Sequence, residues 1–277
     1  MKKSKLFKKF KKGLFVKSFS KKNQKTIVIC SSLDLLFLLG ILLVLLICGF
    51  ASKGIINNMD VIKPHVTALQ NMYGTQIESD SKQLKDSLGE LDANLKSIFT
   101  KLIITIILFL FLFILNYAIW KSLIWAKIKR IKIEKNHILK FILLCFIWML
   151  LWLFVIISLI FIIPLKMYLF IIAILILLMP YFSLVLFNFF DAKKSMLNNL
   201  KNIYQQGILK IKKLFINYLV IILTFILVTL IIFTIGSIFE NKIFTNIMII
   251  IFLVSLIYLV NWSKLYFNLS SKKKLSE

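Results

Sequence analysis

The sequence predicts an all-α integral membrane protein with six transmembrane helices, and two observations lead to this fold class. The 277 residues are 60% apolar and only 17% charged, with phenylalanine at 26 positions, which is more apolar surface than a soluble core buries. The apolar residues also form six continuous blocks of about 20 residues, the length that crosses roughly 30 Å of hydrocarbon as a helix. Continuous blocks are unlike the alternating strands of a membrane barrel.

Each block is assigned to one span, because in lipid only a helix satisfies its own backbone hydrogen bonds within a single segment. The predicted spans are residues 26–50, 102–125, 138–163, 165–190, 216–239 and 244–260. The remaining segments are 1–25, 51–101, 126–137, 191–215 and 261–277. Two connections are tight: 164–166, interpreted as an outside hairpin or a re-entrant bend, and 240–242.

Basic residues predict the orientation of these spans. Of 36 Lys and Arg residues, 28 fall in the amino-terminal segment, the second and fourth connections and the carboxyl-terminal segment, and 8 fall on the other side. This alternation predicts both termini in the cytoplasm of a multi-pass cell-membrane protein. The net charge of +25 is therefore interpreted as a topology signal and an attraction to an anionic cytoplasmic leaflet, and nucleic-acid binding is not expected.

The long connection 51–101 is predicted to be an extracytoplasmic helical hairpin. Pro64 suits the first turn of one arm, and the polar stretch after Gly74 could reverse the chain. Steps of three and four residues give the second arm heptad spacing, typical of a coiled coil, that runs into the second span. The apolar face either packs on the other arm or binds a protein partner or a second copy of the chain. Its candidate partner-binding residues are Leu84, Leu88, Leu91 and Leu95.

Two cytoplasmic segments have amphipathic patterns. In segment 1–25, Leu6, Phe7, Phe10 and Leu14 share a helical face among lysines, which predicts an interfacial helix or, alternatively, a disordered basic segment. Segment 191–215 repeats apolar residues at three- and four-residue steps and predicts a second amphipathic helix on the membrane surface.

Residues 180–215 carry a family resemblance. Pro180 within a span, the sequence Ala192-Lys193-Lys194-Ser195 and the amphipathic stretch to Phe215 follow one another. In this order the chain resembles the glycerophosphodiester phosphodiesterase membrane-domain family and its uncharacterised multi-pass relatives. The resemblance implies a membrane domain without assigned chemistry. The aromatic and glycine residues expected after the serine are replaced by Met196-Leu197-Asn198.

Polar residues inside the predicted spans form a candidate intramembrane site, which comprises Asp34, Asn116, Lys121 and Asn188. Asp34 needs a partner or a proton, because an isolated charge in a span costs about 3 kcal/mol or more. Lys121 is the predicted counter-ion, since its long stem can reach inward. The carboxylate is interpreted as an ion-pair or hydrogen-bonded lock between two helices, as a proton or ion site, or as a group that caps Ser31 and Ser32 or extends to water.

No cofactor, metal or catalytic residue is predicted, since His65 and His137 lie on opposite sides of the predicted membrane. The leading hypothesis is a non-enzymatic scaffold or accessory subunit. The alternative is a small transporter or channel that uses Asp34. A membrane-embedded enzyme acting on lipids is the third hypothesis.

Overall fold

The computed structural model describes residues 13–74, 81–162, 164, 167–238 and 242–276, and within these ranges it contains helices and no strand. The α-helices are labelled α1 to α8 in chain order, and a π-helical turn, Tyr204–Ile208, lies between α6 and α7. The bounds are α1 Leu14–Ser18, α2 Lys21–Gly74, α3 Ser81–Lys129, α4 Lys135–Ile162, α5 Tyr168–Phe189, α6 Met196–Ile203, α7 Ile211–Ile238 and α8 Lys242–Ser276.

Six of these helices are long and apolar enough to cross a membrane. Large side chains on them, such as Phe50, Phe154 and Phe233, are 67%, 72% and 74% exposed, as expected of surfaces that face lipid. The fold class is therefore confirmed: the chain is an all-α, multi-pass membrane protein. The candidate spans are Lys21–Ile55, Asp92–Lys129, Lys135–Leu159, Phe170–Phe189, Leu214–Ser237 and Phe244–Lys272.

The chain divides into two compact units. The larger unit comprises Met1–Leu36 and Ala118–Glu277, and the smaller unit is Phe37–Tyr117. The core of the larger unit lies at the ends of its helices that the sequence predicts to be cytoplasmic, near the end of α3, the start of α4, the end of α5 and the later part of α8. Its most deeply buried aromatic residues are Trp125, Phe141, Tyr181, Trp262 and Phe267.

In the smaller unit, α2 and α3 approach closely around Gly40. The side-chain amide of Asn116 lies so near Gly40 that a Cβ atom there would overlap it. Asn116 Nδ2 donates to the Phe37 carbonyl at 3.2 Å, and the Phe37 and Tyr117 rings meet edge to face at 5.9 Å. A glycine on α2 thus allows a polar side chain of α3 to reach the α2 backbone.

Local sequence explains how several helices end or bend. Arg130, with φ 59°, closes α3 in the left-handed conformation, and the Ile131 amide returns to the Ala126 carbonyl at 3.0 Å. Pro180 lies inside α5 and lacks an amide proton, and one turn earlier the Leu177 carbonyl accepts from the Tyr218 hydroxyl at 2.6 Å. The carbonyl that Pro180 leaves without an intrahelical donor is that of Ile176, and the Tyr218 hydroxyl binds the adjacent carbonyl of Leu177.

Some helix boundaries differ from the sequence-based ones. Helix α8 continues to Ser276, so most of segment 261–277, predicted as a basic tail, is helical and is buried as far as Ser271. Segment 191–215 is divided among α6, the π-helical turn and the start of α7. Pro64 lies within α2, where its missing amide proton removes one backbone hydrogen bond, rather than in the first turn of a separate helix.

Three predictions concern residues outside the described ranges. They are the amphipathic face of Leu6, Phe7 and Phe10, the chain reversal at 75–80, and the tight connections at 165–166 and 240–241.

Candidate functional site

Asp34 on α2 accepts hydrogen bonds from three side chains of the larger unit. Lys121 Nζ on α3 lies 2.5 Å from Oδ1, and Lys264 Nζ on α8 lies 3.0 Å from Oδ2. The amide Nδ2 of Asn261, also on α8, donates to Oδ2 at 2.7 Å. One carboxylate thus connects α2, α3 and α8. We call these four residues the Asp34 cluster.

The Asp34 cluster is nearly closed to its surroundings. The side chains of Asp34, Lys121 and Lys264 are 9%, 12% and 8% exposed, and Asn261 is 1% exposed. Lys264 also donates to Asn261 Oδ1 at 3.0 Å, so the amide uses both of its polar atoms within the cluster. Because buried charges are costly unless they are paired and hydrogen-bonded, this mutual pairing is what allows them to lie inside the helix bundle.

Helix α8 supplies its part of the cluster from a buried polar face. Asn261, Lys264, Asn268 and Ser271 are spaced by three and four residues, and all four are buried. Ser271 Oγ accepts from Asn188 Nδ2 on α5 at 2.8 Å, and Asn268 Nδ2 donates to the Ile128 carbonyl at 3.5 Å. The polar face therefore connects α8 to α2, α3 and α5.

An aromatic group holds α1 against α8 beside the cluster. Trp262 stacks on Tyr266 with ring centroids 5.2 Å apart and on Phe19 at 5.5 Å, while Phe15 meets Trp262 edge to face at 5.6 Å. The indole Nε1 of Trp262 donates to Ser18 Oγ at 2.9 Å. Because Trp262 directly follows Asn261, the short amino-terminal helix fixes the same turn of α8 that supplies the cluster.

The end of α5 forms a second polar junction, in the segment that carries the family resemblance. Lys129 Nζ donates to the Phe190 carbonyl at 2.7 Å, and Lys140 Nζ donates to the Ala192 carbonyl at 2.8 Å. The fully buried Asn199 accepts from the Asp191 amide and donates to the Asp191 carbonyl, each at 2.8 Å. Lysines from α3 and α4 thus donate to backbone carbonyls directly after the end of α5.

The structure places the residues of the predicted intramembrane site in different parts of the protein. Lys121 is brought to Asp34, whereas Asn188 bonds Ser271 instead. Asn116 belongs to the smaller unit, where it bonds the Phe37 backbone. On the predicted partner-binding face, Leu95 is 40% exposed. The side chains of Leu84, Leu88 and Leu91 lie outside the described part of the structure.

Sequence reasoning missed Lys264, which was counted with the basic tail as a topology signal. The spacing Asn261, Lys264, Asn268 is a helical polar face and could have indicated that α8 continues past 260. A span predicted from hydropathy ends where polar residues begin. The helix itself can continue when those polar residues have buried partners.

The functional groups of the Asp34 cluster determine what it can do chemically. A carboxylate between two ammonium groups and an amide can lock three helices together, and a carboxylate and an amine can also exchange a proton. Among the described residues, no group of three or more His, Cys, Asp or Glu side chains could hold a metal ion.

Comparisons of the chain with protein-family models, with curated proteins and with solved structures find no match. The resemblance of residues 180–215 to the glycerophosphodiester phosphodiesterase membrane domains therefore stays a prediction.

Proposed function

We propose that the chain is a non-enzymatic scaffold or accessory subunit of the cell membrane. It binds a protein partner, or a second copy of itself, through the extracytoplasmic parts of α2 and α3. The observation that carries this proposal is the length of the two helices, 54 and 49 residues. At 1.5 Å per residue they extend about 80 Å and about 74 Å, whereas the hydrocarbon core is about 30 Å thick.

Charged residues support the view that the amino-terminal part of α3 lies outside the hydrocarbon. Asp92 and Lys96 form an ion pair of 2.6 Å, one helical turn apart, with side chains 64% and 76% exposed. An exposed ion pair suits water or the interface far better than the bilayer interior. The arms, defined as residues 51–74 of α2 and 81–101 of α3, therefore provide helical surface outside the membrane.

The second arm keeps an apolar face as it approaches the membrane. Ile98 is 8% exposed and is packed within the smaller unit, while Leu95, three residues earlier on the same heptad face, is 40% exposed. Partly exposed leucines at coiled-coil spacing are the pattern by which a helix binds another helix.

The interior of the larger unit fits a scaffold better than a transport path. The Asp34 cluster uses its polar atoms on one another, and its ion pairs bridge three helices. A satisfied network of this kind stabilises one arrangement of helices. Transport is the second candidate function, because Asp34 and Lys264 are adjacent buried groups that could exchange a proton.

The proposal is tested by purifying the tagged protein from its native membrane and measuring bound proteins by quantitative mass spectrometry. We expect a stoichiometric partner, or a second copy detected by a differently tagged chain. Leu88→Asp with Leu95→Asp should reduce its recovery by about tenfold or more, because each carboxylate would enter an apolar helix contact.

Gly89→Asp with Ala93→Asp is the matched control, since it adds the same charge to the same arm at two exposed positions away from the heptad leucines. It should retain the partner. Equal recovery with both double variants, or a chain that is purified alone and as a monomer, contradicts the proposal.

A further inference from the structure

A basic groove lies between the start of α2 and the end of α3, in the larger unit. Its volume is about 360 Å³, within the usual range for small-molecule sites. It is lined by Lys22, Lys25, Thr26, Ile29, Ala126, Lys127, Arg130 and Ile131. We call this the basic groove.

Four cations meet in the basic groove without a carboxylate in its lining. Lys22 and Lys25 come from the first turns of α2, and Lys127 and Arg130 come from the carboxyl-terminal end of α3. The ion pairs at Asp34 and Asp92 are formed by other lysines and do not involve these four cations. Four positive charges in one groove repel one another, so an anion bound there would relieve that repulsion.

Arg130 is the only arginine among 36 basic residues of the chain. Its guanidinium donates to Asn23 Oδ1 at 3.3 Å, and Asn23 is itself held through a bond from Nδ2 to the Lys17 carbonyl at 2.9 Å. The planar guanidinium can present two parallel N–H groups to phosphate, which a lysine cannot. The anchored arginine distinguishes this groove from a general scatter of topology-determining lysines.

The position of the groove indicates which phosphate compound it meets. The first candidate span begins at Lys21 and the second ends at Lys129, so the groove lies where both helices leave the hydrocarbon at the same surface. Ile29 and Ile131 add apolar surface to its lining beside the cations. A phospholipid has its phosphate at this depth and its acyl chains directly alongside.

We propose that the basic groove is a specific site for the headgroup phosphate of an anionic phospholipid. Lys22, Lys25 and Lys127 neutralise its charge, and Arg130 binds its oxygens in a bidentate manner. A soluble phosphate compound offers the same anionic group but lacks the acyl chains.

The test uses the full chain purified in detergent and native mass spectrometry of lipid binding. Dioleoylphosphatidylglycerol should bind at least about tenfold more tightly than dioleoylphosphatidylcholine. The variant Lys22→Gln, Lys25→Gln, Lys127→Gln, Arg130→Gln should lose this preference. The charge-matched control Lys132→Gln, Lys135→Gln, Lys193→Gln, Lys194→Gln, which changes exposed lysines elsewhere on the predicted cytoplasmic surface, should keep it.

Three outcomes would overturn the proposal. Equal affinity for the two lipids would remove the charge requirement, and equal losses in both quadruple variants would show non-specific attraction to a basic surface. Displacement of the phosphatidylglycerol by inorganic phosphate would assign the groove to soluble phosphate. If the quadruple variant does not fold, two smaller variants are measured instead: the double variant Lys22→Gln, Lys25→Gln and the single variant Lys127→Gln. Each should weaken phosphatidylglycerol binding by about threefold or more.

Discussion

Asp34 connects three helices of the larger unit through a single carboxylate. Replacing it by asparagine removes the negative charge on which Lys121 and Lys264 depend and leaves two ammonium groups buried. Breaking a buried ion pair by removing one partner costs about 3–5 kcal/mol. We therefore expect Asp34→Asn to lower the thermal unfolding temperature of the purified protein clearly.

The matched control for this prediction is the apolar triple variant Asp34→Leu, Lys121→Met, Lys264→Met. It should recover most of the lost stability, because it leaves no buried charge unpaired. Proton flux in liposomes is measured with the same proteins. The helix-locking role would be contradicted if Asp34→Asn left the stability unchanged and abolished a proton flux that the wild-type protein shows. That result would favour transport.

The sequence could predict part of the Asp34 cluster. A carboxylate eight residues inside an apolar block requires a partner, and a lysine at the end of the next span can extend to it. The pairing of Asp34 with Lys121 could therefore be predicted. Lys264 and Asn261 contribute from more than 220 residues away in the chain. Their placement depends on how α8 packs on α2, which residue spacing along one helix does not determine.

Among the helices, the junction of α5 with the π-helical turn is closely packed. The Tyr181 hydroxyl on α5 donates to the Gly207 carbonyl at 3.2 Å, and a Cβ at Gly207 would overlap the Val185 side chain. A π-helical turn widens the backbone locally and brings this carbonyl to α5. Glycine is needed here for close approach, not for an unusual φ angle.

Gly207→Ala tests this junction. The methyl group must displace Val185, and overpacking of this kind costs about 1–3 kcal/mol, which would appear as a lower unfolding temperature. Gly49→Ala is the control, because a Cβ at Gly49 on α2 would have no neighbour within 4 Å. It should leave stability unchanged or raise it by up to about 1 kcal/mol through helix propensity. Equal effects of the two substitutions would refute close packing at Gly207.

Hydropathy predicted the number of membrane-spanning helices and the all-α class, because continuous apolar blocks and the length of a span are properties of local sequence. It predicted their ends less well. The ends of α3 and α8 depend on the left-handed Arg130 and on the buried polar face that begins at Asn261, and both depend on contacts with other helices. The division of 191–215 likewise depends on the contact between Gly207 and α5.

For the molecule as a whole, the two proposed binding surfaces require a defined orientation. The positive-inside rule predicts that the basic groove lies at the cytoplasmic surface and that the arms of α2 and α3 lie outside. The scaffold proposal therefore depends on the arms being accessible from outside the cell.

Site-specific labelling in intact cells measures this directly. The native cysteines, Cys30, Cys48 and Cys145, are all buried and are first replaced by alanine. Ser87→Cys then reports on the second arm and Lys132→Cys on the connection between α3 and α4. We predict that a membrane-impermeant maleimide labels Ser87→Cys in intact cells and labels Lys132→Cys only after permeabilisation. Labelling of Lys132→Cys in intact cells, with Ser87→Cys protected until permeabilisation, would place the arms in the cytoplasm and contradict the proposed function.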